Sequence, residues 1–431
     1  MDKISVVVSS PVDTYSGYGA RSRDFIKALL KLEKYDVKLL SQRWGATRFG
    51  YLEDHEEHEM KSLIIPKMTS QPDIWIQVTV PNEFQKVGKF NIGVTAGIET
   101  TICDGKWIEG MNRMDLNLVS SKHAKEVFQT TKYKQTDSRT KQVVGSLEIT
   151  SPIEVLFEGV DLDKYFKITK KSKEGVSLEL DTIPESWCYL FVGHWLKGNY
   201  RHDRKNIGWM IHQFLETYKN KKGAPALILK TQHANASISD KENLIKKVNE
   251  IRKKVKGTLP NIYILHGELY DSEINELYNH PKVKAMVNLT RGEGFGRPLL
   301  EFSLTGKPIV ASGWSGHVDF LAPEYTSLVG GVLETVDKSS QQEGIILKDA
   351  KWFQADETQT RFILKDLPKN YKKYEENAKR LAYQNKKDFS FEAMTELLGE
   401  ILDKRVPNFP KQVQLSMPQG ALPTLTLPKL Q

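Results

Sequence analysis

The sequence predicts an α/β protein of two doubly wound, Rossmann-like domains, and three observations lead to that class. Apolar, β-branched segments alternate with amphipathic ones, the pattern of parallel sheets covered by helices. The alternation pauses in a charged stretch at 169–174 and then restarts. A chain of 431 residues is also too long for one ordinary core. With 39% hydrophobic and 10% aromatic residues it has material for packed cores rather than a disordered chain.

Met1-Asp2-Lys3 leads straight into a strand at 4–8, and a helix fits 20–32. Strands follow at 37–40, 74–80, 90–94, 116–119 and 155–157, with a further helix at 124–128. The second half gives strands at 189–192, 226–229, 262–265, 285–289, 309–311 and 327–329, and helices at 206–218, 241–255, 271–278 and 299–305. In such sheets the ligand sits beyond the carboxyl ends of the strands. Residues 356–385 read as helical and strongly charged, and 390–402 as a helix with apolar Phe391, Met394, Leu397, Leu398 and Ile401. After Val406 come Pro407, Pro410, Pro418, Pro423 and Pro428, a density that keeps the tail extended. The expected divisions are 1–168 and 175–355 for the two Rossmann-like domains, 356–405 for the last helices and 406–431 for the tail.

No apolar run reaches the length of a membrane span, and the N-terminus lacks the sections of a signal peptide. Two cysteines, Cys103 and Cys188, fall in different halves, which argues against a disulfide framework and for a reducing, cytoplasmic setting. The net charge of +8 gathers in Lys170-Lys171-Ser172-Lys173, Lys219-Asn220-Lys221-Lys222, Arg252-Lys253-Lys254-Val255-Lys256 and Lys372-Lys373. Such runs are solvated helix faces in the ordinary case and a footprint for a polyanion in the other.

The segment Thr290-Arg291-Gly292-Glu293-Gly294-Phe295-Gly296-Arg297-Pro298-Leu299-Leu300-Glu301 carries the strongest signal. It reads as a strand end, a glycine loop and a helix opened by Pro298, where the missing N–H costs least. Gly306 ends that helix and Lys307-Pro308-Ile309-Val310-Ala311 starts a strand. Glu293 and Glu301 stand seven residues apart. A small-residue loop feeding a helix N-terminus suits a phosphate, and carboxylates suit sugar hydroxyls.

This segment resembles the donor signature of retaining glycosyltransferases of the GT-B architecture, especially family four (glycosyl transferases group 1). Glu293 and Glu301 match the two acids of its Glu-x7-Glu motif, and the stretch from Gly306 to Ala311 matches its close. Gly313-Trp314-Ser315-Gly316-His317-Val318-Asp319 is similar to the family's following glycine turn. The likeness covers some thirty residues in order.

Two further sites follow from the same resemblance. At Gly193-His194 and Asp203-Arg204-Lys205-Asn206 a strand ends and a helix begins, with Asp203 or Asn206 as candidate caps. Lys205 matches the family's diphosphate-binding lysine. His194 replaces the arginine that follows the glycine, and Arg204 is the candidate substitute. Gly17-Tyr18-Gly19 is similar to the family's N-terminal glycine loop. The family's mid-domain histidine has no counterpart in Ala96-Gly97-Ile98-Glu99. Glu99 and Tyr18 are the acceptor-side candidates. His55-Glu56-Glu57-His58 lacks the spacing of a zinc site, and Asp161-Leu162-Asp163 matches a family turn, so no metal is expected.

The resemblance implies a C-terminal helix that crosses back to the first domain, and a retaining transfer of a sugar from a nucleoside-diphosphate sugar, with no cofactor. Expected catalytic residues are Glu293, Lys205 and Arg204. Donor contacts would come from Gly17, Gly19, Gly193, His194, Arg204, Lys205, Glu293, Gly294, Phe295, Gly296, Leu300 and Glu301. The expected acceptor is a saccharide or other small hydroxyl compound, with a modified DNA base as the alternative. A catalytically inactive GT-B scaffold and a GT-B sugar-nucleotide epimerase remain the other readings.

Overall fold

The computed structural model describes residues 3–137, 139–169, 175–198, 200–233 and 236–409. The lysine run at 170–173 and Pro410, Pro418, Pro423 and Pro428 lie outside the described residues. Two six-stranded parallel sheets form the frame. The first runs in the order Tyr35–Ser41, Ile4–Ser10, Ile74–Val78, Phe90–Thr95, Leu116–Val119, Ile153–Val155. The second runs Ile262–Leu265, Ala226–Lys230, Cys188–Val192, Val283–Asn288, Ile309–Ser312, Ser327–Val329. Both orders reverse direction once, and the reversal opens a crevice at the carboxyl ends of the strands. In the second sheet it falls between Cys188–Val192 and Val283–Asn288.

Near-continuous apolar strands such as Leu190, Phe191 and Val192 are what a sheet covered on both faces requires. Two clusters accordingly flank each sheet. Helix Ile207–Tyr218 buries Trp209, Ile211, Phe214 and Leu215 on one side of the second sheet, and Leu299, Leu300 and Phe302 fill the other. The chain then crosses back. Phe391–Arg405 buries Met394, Leu398, Ile401 and Leu402 in the core of the first sheet, as expected for the last helix. Val160 pins the crossing by donating to the Phe389 carbonyl and accepting from Phe391 N–H, each at 2.9 Å.

Three local expectations need correction. The helical region at 356–385 is two helices, Glu357–Asp366 and Tyr371–Asp388, separated where Pro368 cannot continue a ladder. Two antiparallel hairpins escaped the reading, Tyr133–Thr136 with Val143–Leu147 and Gly331–Thr335 with Lys351–Ala355. The first helix starts at Gly17 rather than at 20, because the Ser16 hydroxyl accepts from Gly19 N–H at 2.8 Å and caps it early. Among the described residues no helix is long and apolar enough to cross a membrane. Cys103 and Cys188 are both buried and free.

Candidate functional site

The donor-signature loop lies at the switch point of the second sheet, between strand Val283–Asn288 and helix Arg297–Ser303. Gly296 enters that helix at φ +99°, a conformation that side chains other than glycine rarely adopt. Gly292 and Gly294 serve a different need. A Cβ on Gly292 would lie 1.9 Å from the Glu99 carbonyl oxygen, and one on Gly294 2.4 Å from that of Ala96. The two loops, one from each sheet, therefore touch backbone to backbone. Glu293 N–H donates to the Ser315 hydroxyl at 2.9 Å, and Gly316 N–H to the Glu293 carbonyl at 2.9 Å, which fixes the loop on its neighbour.

Glu293 is the centre of a buried charge cluster. Its carboxylate pairs with the Lys205 ammonium and lies 3.5 Å from the Arg204 guanidinium. Arg204 also reaches Glu99 of the first sheet at 3.4 Å and donates to the Gly292 carbonyl at 3.0 Å. Burial opposes ionisation of Glu293, but the Lys205 and Arg204 charges outweigh it and hold the carboxyl at about 2. Burial and the adjoining Arg204 pull Lys205 down against the attraction of Glu293. Asp203 does not pair with these cations. Its carboxylate accepts from Ile207 N–H at 2.8 Å and caps the helix, whereas Asn206 sits in the left-handed region at φ +55° with no side-chain cap. Lys205 is thus delivered by a capped helix start, directly beside the signature loop.

Glu301 is placed one turn into its helix, as the motif spacing requires, but its partners were not foreseen. It accepts from the Tyr278 hydroxyl at 3.1 Å and lies 3.6 Å from Arg297. Burial pushes its carboxyl up to about 7, with Arg297 opposing. Arg297 in turn pairs with Asp24 on the first helix and reaches Glu158 at 3.5 Å, so one guanidinium ties the two sheets together. A cavity of about 250 Å³ opens beside these groups, lined by Tyr15, Gly193, His194, Lys230, Gln232 and Pro298 among others. Lys230, one of the lining residues, donates to the Gly267 carbonyl, and burial lowers its ammonium to about 8.

Other expected contacts fall differently. The side chains of Phe295 and Leu300 are 3% and 1% exposed and belong to the apolar core, so they face away from the cleft. Gly19 N–H is occupied by the Ser16 cap, which removes it as a phosphate donor. Gly17 is exposed, with open space where a Cβ would stand. His194 lines the cavity, its Nδ1 2.9 Å from the His233 carbonyl oxygen. Tyr18 meets Thr95 Oγ1 at 2.9 Å and stacks on Trp44 at 4.1 Å, forming a polar and aromatic wall on the first-sheet side. Glu99 is tied to Arg204 rather than free. Sequence reasoning assigned no role to Arg297, Lys230, His123 or His317. Only the basic residue at position 297 inside the motif offered a signal.

The arrangement of paired sheets, return helix and cleft can be set beside solved structures. A glycosyltransferase from Rickettsia africae superposes with a TM-score of 0.61 at 13% identity, over 95% of this chain and 100% of that one. The chain has the GT-B fold. Anabaena HepE, solved with UDP and glucose, gives 0.59 at 13% identity over 93% and 100%. Sucrose-phosphate synthase from Thermosynechococcus elongatus gives 0.57 at 10% identity over 94% and 99%. No protein-family model and no curated protein matches the sequence.

The described lysine runs do not gather at this cleft. The 219–222 run follows helix Ile207–Tyr218 at the edge where the strands begin, and the 372–373 run lies beside Tyr371, whose hydroxyl donates to the carbonyl of Lys284 on the same edge. Asn220 N–H donates to the Thr258 carbonyl at 2.8 Å, which joins the 252–256 run to the first.

Proposed function

We propose that the protein is a retaining glycosyltransferase that moves a sugar from a nucleoside-diphosphate sugar to an acceptor hydroxyl. The observation that carries this reading is the buried Lys205–Glu293–Arg204 cluster at the switch point of a GT-B fold. Its motif, the fold and the UDP and glucose held by the similarly folded HepE all support it.

In the structure Lys205 and Glu293 neutralise one another. A diphosphate brings charge that draws Lys205 and Arg204 onto it, and Glu293, still ionised, becomes free to accept hydrogen bonds from sugar hydroxyls. The acceptor hydroxyl attacks the anomeric carbon on the face from which the diphosphate leaves. The new carbon–oxygen bond forms as the bond to the diphosphate oxygen breaks, and that oxygen takes the acceptor's proton. The products are a glycoside of retained configuration and a nucleoside diphosphate. The protein supplies position and charge rather than a nucleophile.

The favoured acceptor is a saccharide or small hydroxyl compound bound against Tyr18 and Trp44. The described lysine runs, at 219–222, 252–256 and 372–373, sit at the edge where the strands begin and so do not favour a DNA acceptor at this cleft. Incubation with UDP-, GDP- and ADP-sugars, read as nucleoside diphosphate released, tests the proposal. Slow release from one donor, faster with added saccharides, is expected. Silence across the panel points to an inactive scaffold, and a changed sugar configuration without release points to an epimerase.

A further inference from the structure

Two histidines that the proposed transfer does not yet use stand where loops of the two sheets meet. His317 is fully buried, and its Nε2 lies 2.7 Å from the Ser312 carbonyl oxygen. A carbonyl only accepts, so Nε2 carries the hydrogen and Nδ1 presents its lone pair. Nδ1 is buried and has no partner among the described residues. His123 stands in the first turn of helix Lys122–Thr130 on the other side. It stands beside the Ile98 backbone and meets the Trp314 ring edge-on at 4.7 Å. Its Nε2 is likewise buried and without a hydrogen-bond partner among the described residues.

Trp314, which His123 meets, and Gly316, whose N–H donates to the Glu293 carbonyl, belong to the turn that carries His317. A Cβ on Gly296 would lie 3.0 Å from His317 Cβ and 3.7 Å from Glu293 Cγ, so the two rings and Glu293 share one region. Burial depresses both rings, His123 to about 4, so both are neutral near pH 7. Two buried, unpartnered ring nitrogens, one of them the His317 Nδ1 lone pair, are complementary to hydroxyls, which both donate and accept. A phosphate, rich in acceptors, does not complement the His317 lone pair. Among the described residues no group of three His, Cys, Asp or Glu gathers to hold a metal ion. A polyhydroxylated ring beside Glu293 does fit.

We propose that His123 and His317, one from each half of the molecule, form hydrogen bonds with hydroxyls of the transferred sugar and set which sugar the enzyme takes. The inference rests on the glycosyltransferase reading above and adds the groups that recognise the sugar itself.

The variants follow from the geometry. His317→Gln places its amide N–H near the Nε2 position and keeps the bond to Ser312, but removes the Nδ1 acceptor. His123→Asn removes the polar atom at the Nε2 position, whereas His123→Gln restores a polar amide near that place. Calorimetry would compare UDP, GDP and ADP with their glucose and mannose esters for each protein. In the wild type one sugar ester should bind more tightly than its parent diphosphate. In His317→Gln and His123→Asn that preference should fall about tenfold, the worth of one hydrogen bond. Affinity for the bare diphosphate should stay unchanged, and His123→Gln should keep most of the preference. A preference that survives both substitutions overturns the inference while leaving the glycosyltransferase reading intact. Loss of diphosphate affinity in step with the sugar ester also overturns it, because the rings would then serve only the fold. A wild type that binds no member of the panel removes both readings together.

Discussion

At the scale of single residues, Glu293 is a buried anion that depends on two cations. Removing one partner of a buried pair leaves charge uncompensated, which is costlier than never having placed it there. Lys205→Ala should therefore lower kcat/KM by about 100-fold, the usual effect of losing one group that stabilises developing charge. Arg204→Ala should cost less, because Arg204 also holds Glu99 and the Gly292 carbonyl and is shared among them. Steady-state kinetics with the best donor checks the order, and a larger effect at Arg204 reverses the assignment. Glu301 gives a second test through pH. Its folded-state pKa of about 7 is above the ordinary 4.5, so between those values the folded protein holds a proton that the unfolded chain has lost. Stability therefore falls as pH rises through that window, by about 3 kcal/mol at most. Glu301→Gln mimics the protonated acid, so its stability should match wild type near pH 4.5 and exceed it above pH 7 in denaturant titrations. Glu293 contributes oppositely: its depressed pKa gives stability above pH 4.5 that is lost as pH falls toward 2. Glu293, Glu301 and Lys205 were legible because their spacing along the chain encodes their position. The placement of His123, His317 and Arg297 was not, because it arises only where two sheets meet.

At the scale of elements, strands and helices of strong apolar pattern were readable almost to their ends. Strands Leu116–Val119, Ile262–Leu265 and Ser327–Val329 agree with the expected bounds. The hairpin Tyr133–Thr136 with Val143–Leu147 was missed because its faces are mostly exposed and it lacks the apolar alternation that signals a strand. The break at Pro368 was visible in the sequence and should have divided the 356–385 region. Phe295 and Leu300 show the converse limit: a motif names a loop, but only packing decides which of its side chains turn inward. The glycine loop carries its own prediction. Gly292→Ala drives a methyl group into the Glu99 carbonyl, and backbone cannot yield as a side-chain tip can. The variant should lose transfer activity and push the two loops apart, with far-UV circular dichroism unchanged. Wild-type activity would show that the contact between the loops is not needed for turnover.

At the scale of the whole molecule, the two halves are held by a small set of contacts from different layers. Arg297 pairs with Asp24, Arg204 with Glu99, and Lys122 N–H donates to Asp319 at 2.8 Å. The return helix adds an apolar component, since Leu398 is completely buried in the first sheet's core although it follows the second in sequence. Leu398→Ala should cost about 2–5 kcal/mol, measured by denaturant unfolding, and the loss should appear in the first half of the molecule. The central claim is that this cleft binds a nucleoside-diphosphate sugar through Lys205 and its neighbours. Thermal unfolding of wild type and Lys205→Ala, each with and without a saturating panel of sugar nucleotides, tests it most directly. At a hundred times its dissociation constant a ligand stabilises by about 2.7 kcal/mol, so one sugar nucleotide should raise the wild-type melting temperature and barely move that of Lys205→Ala. An equal rise in both proteins, or none in either, would contradict the account.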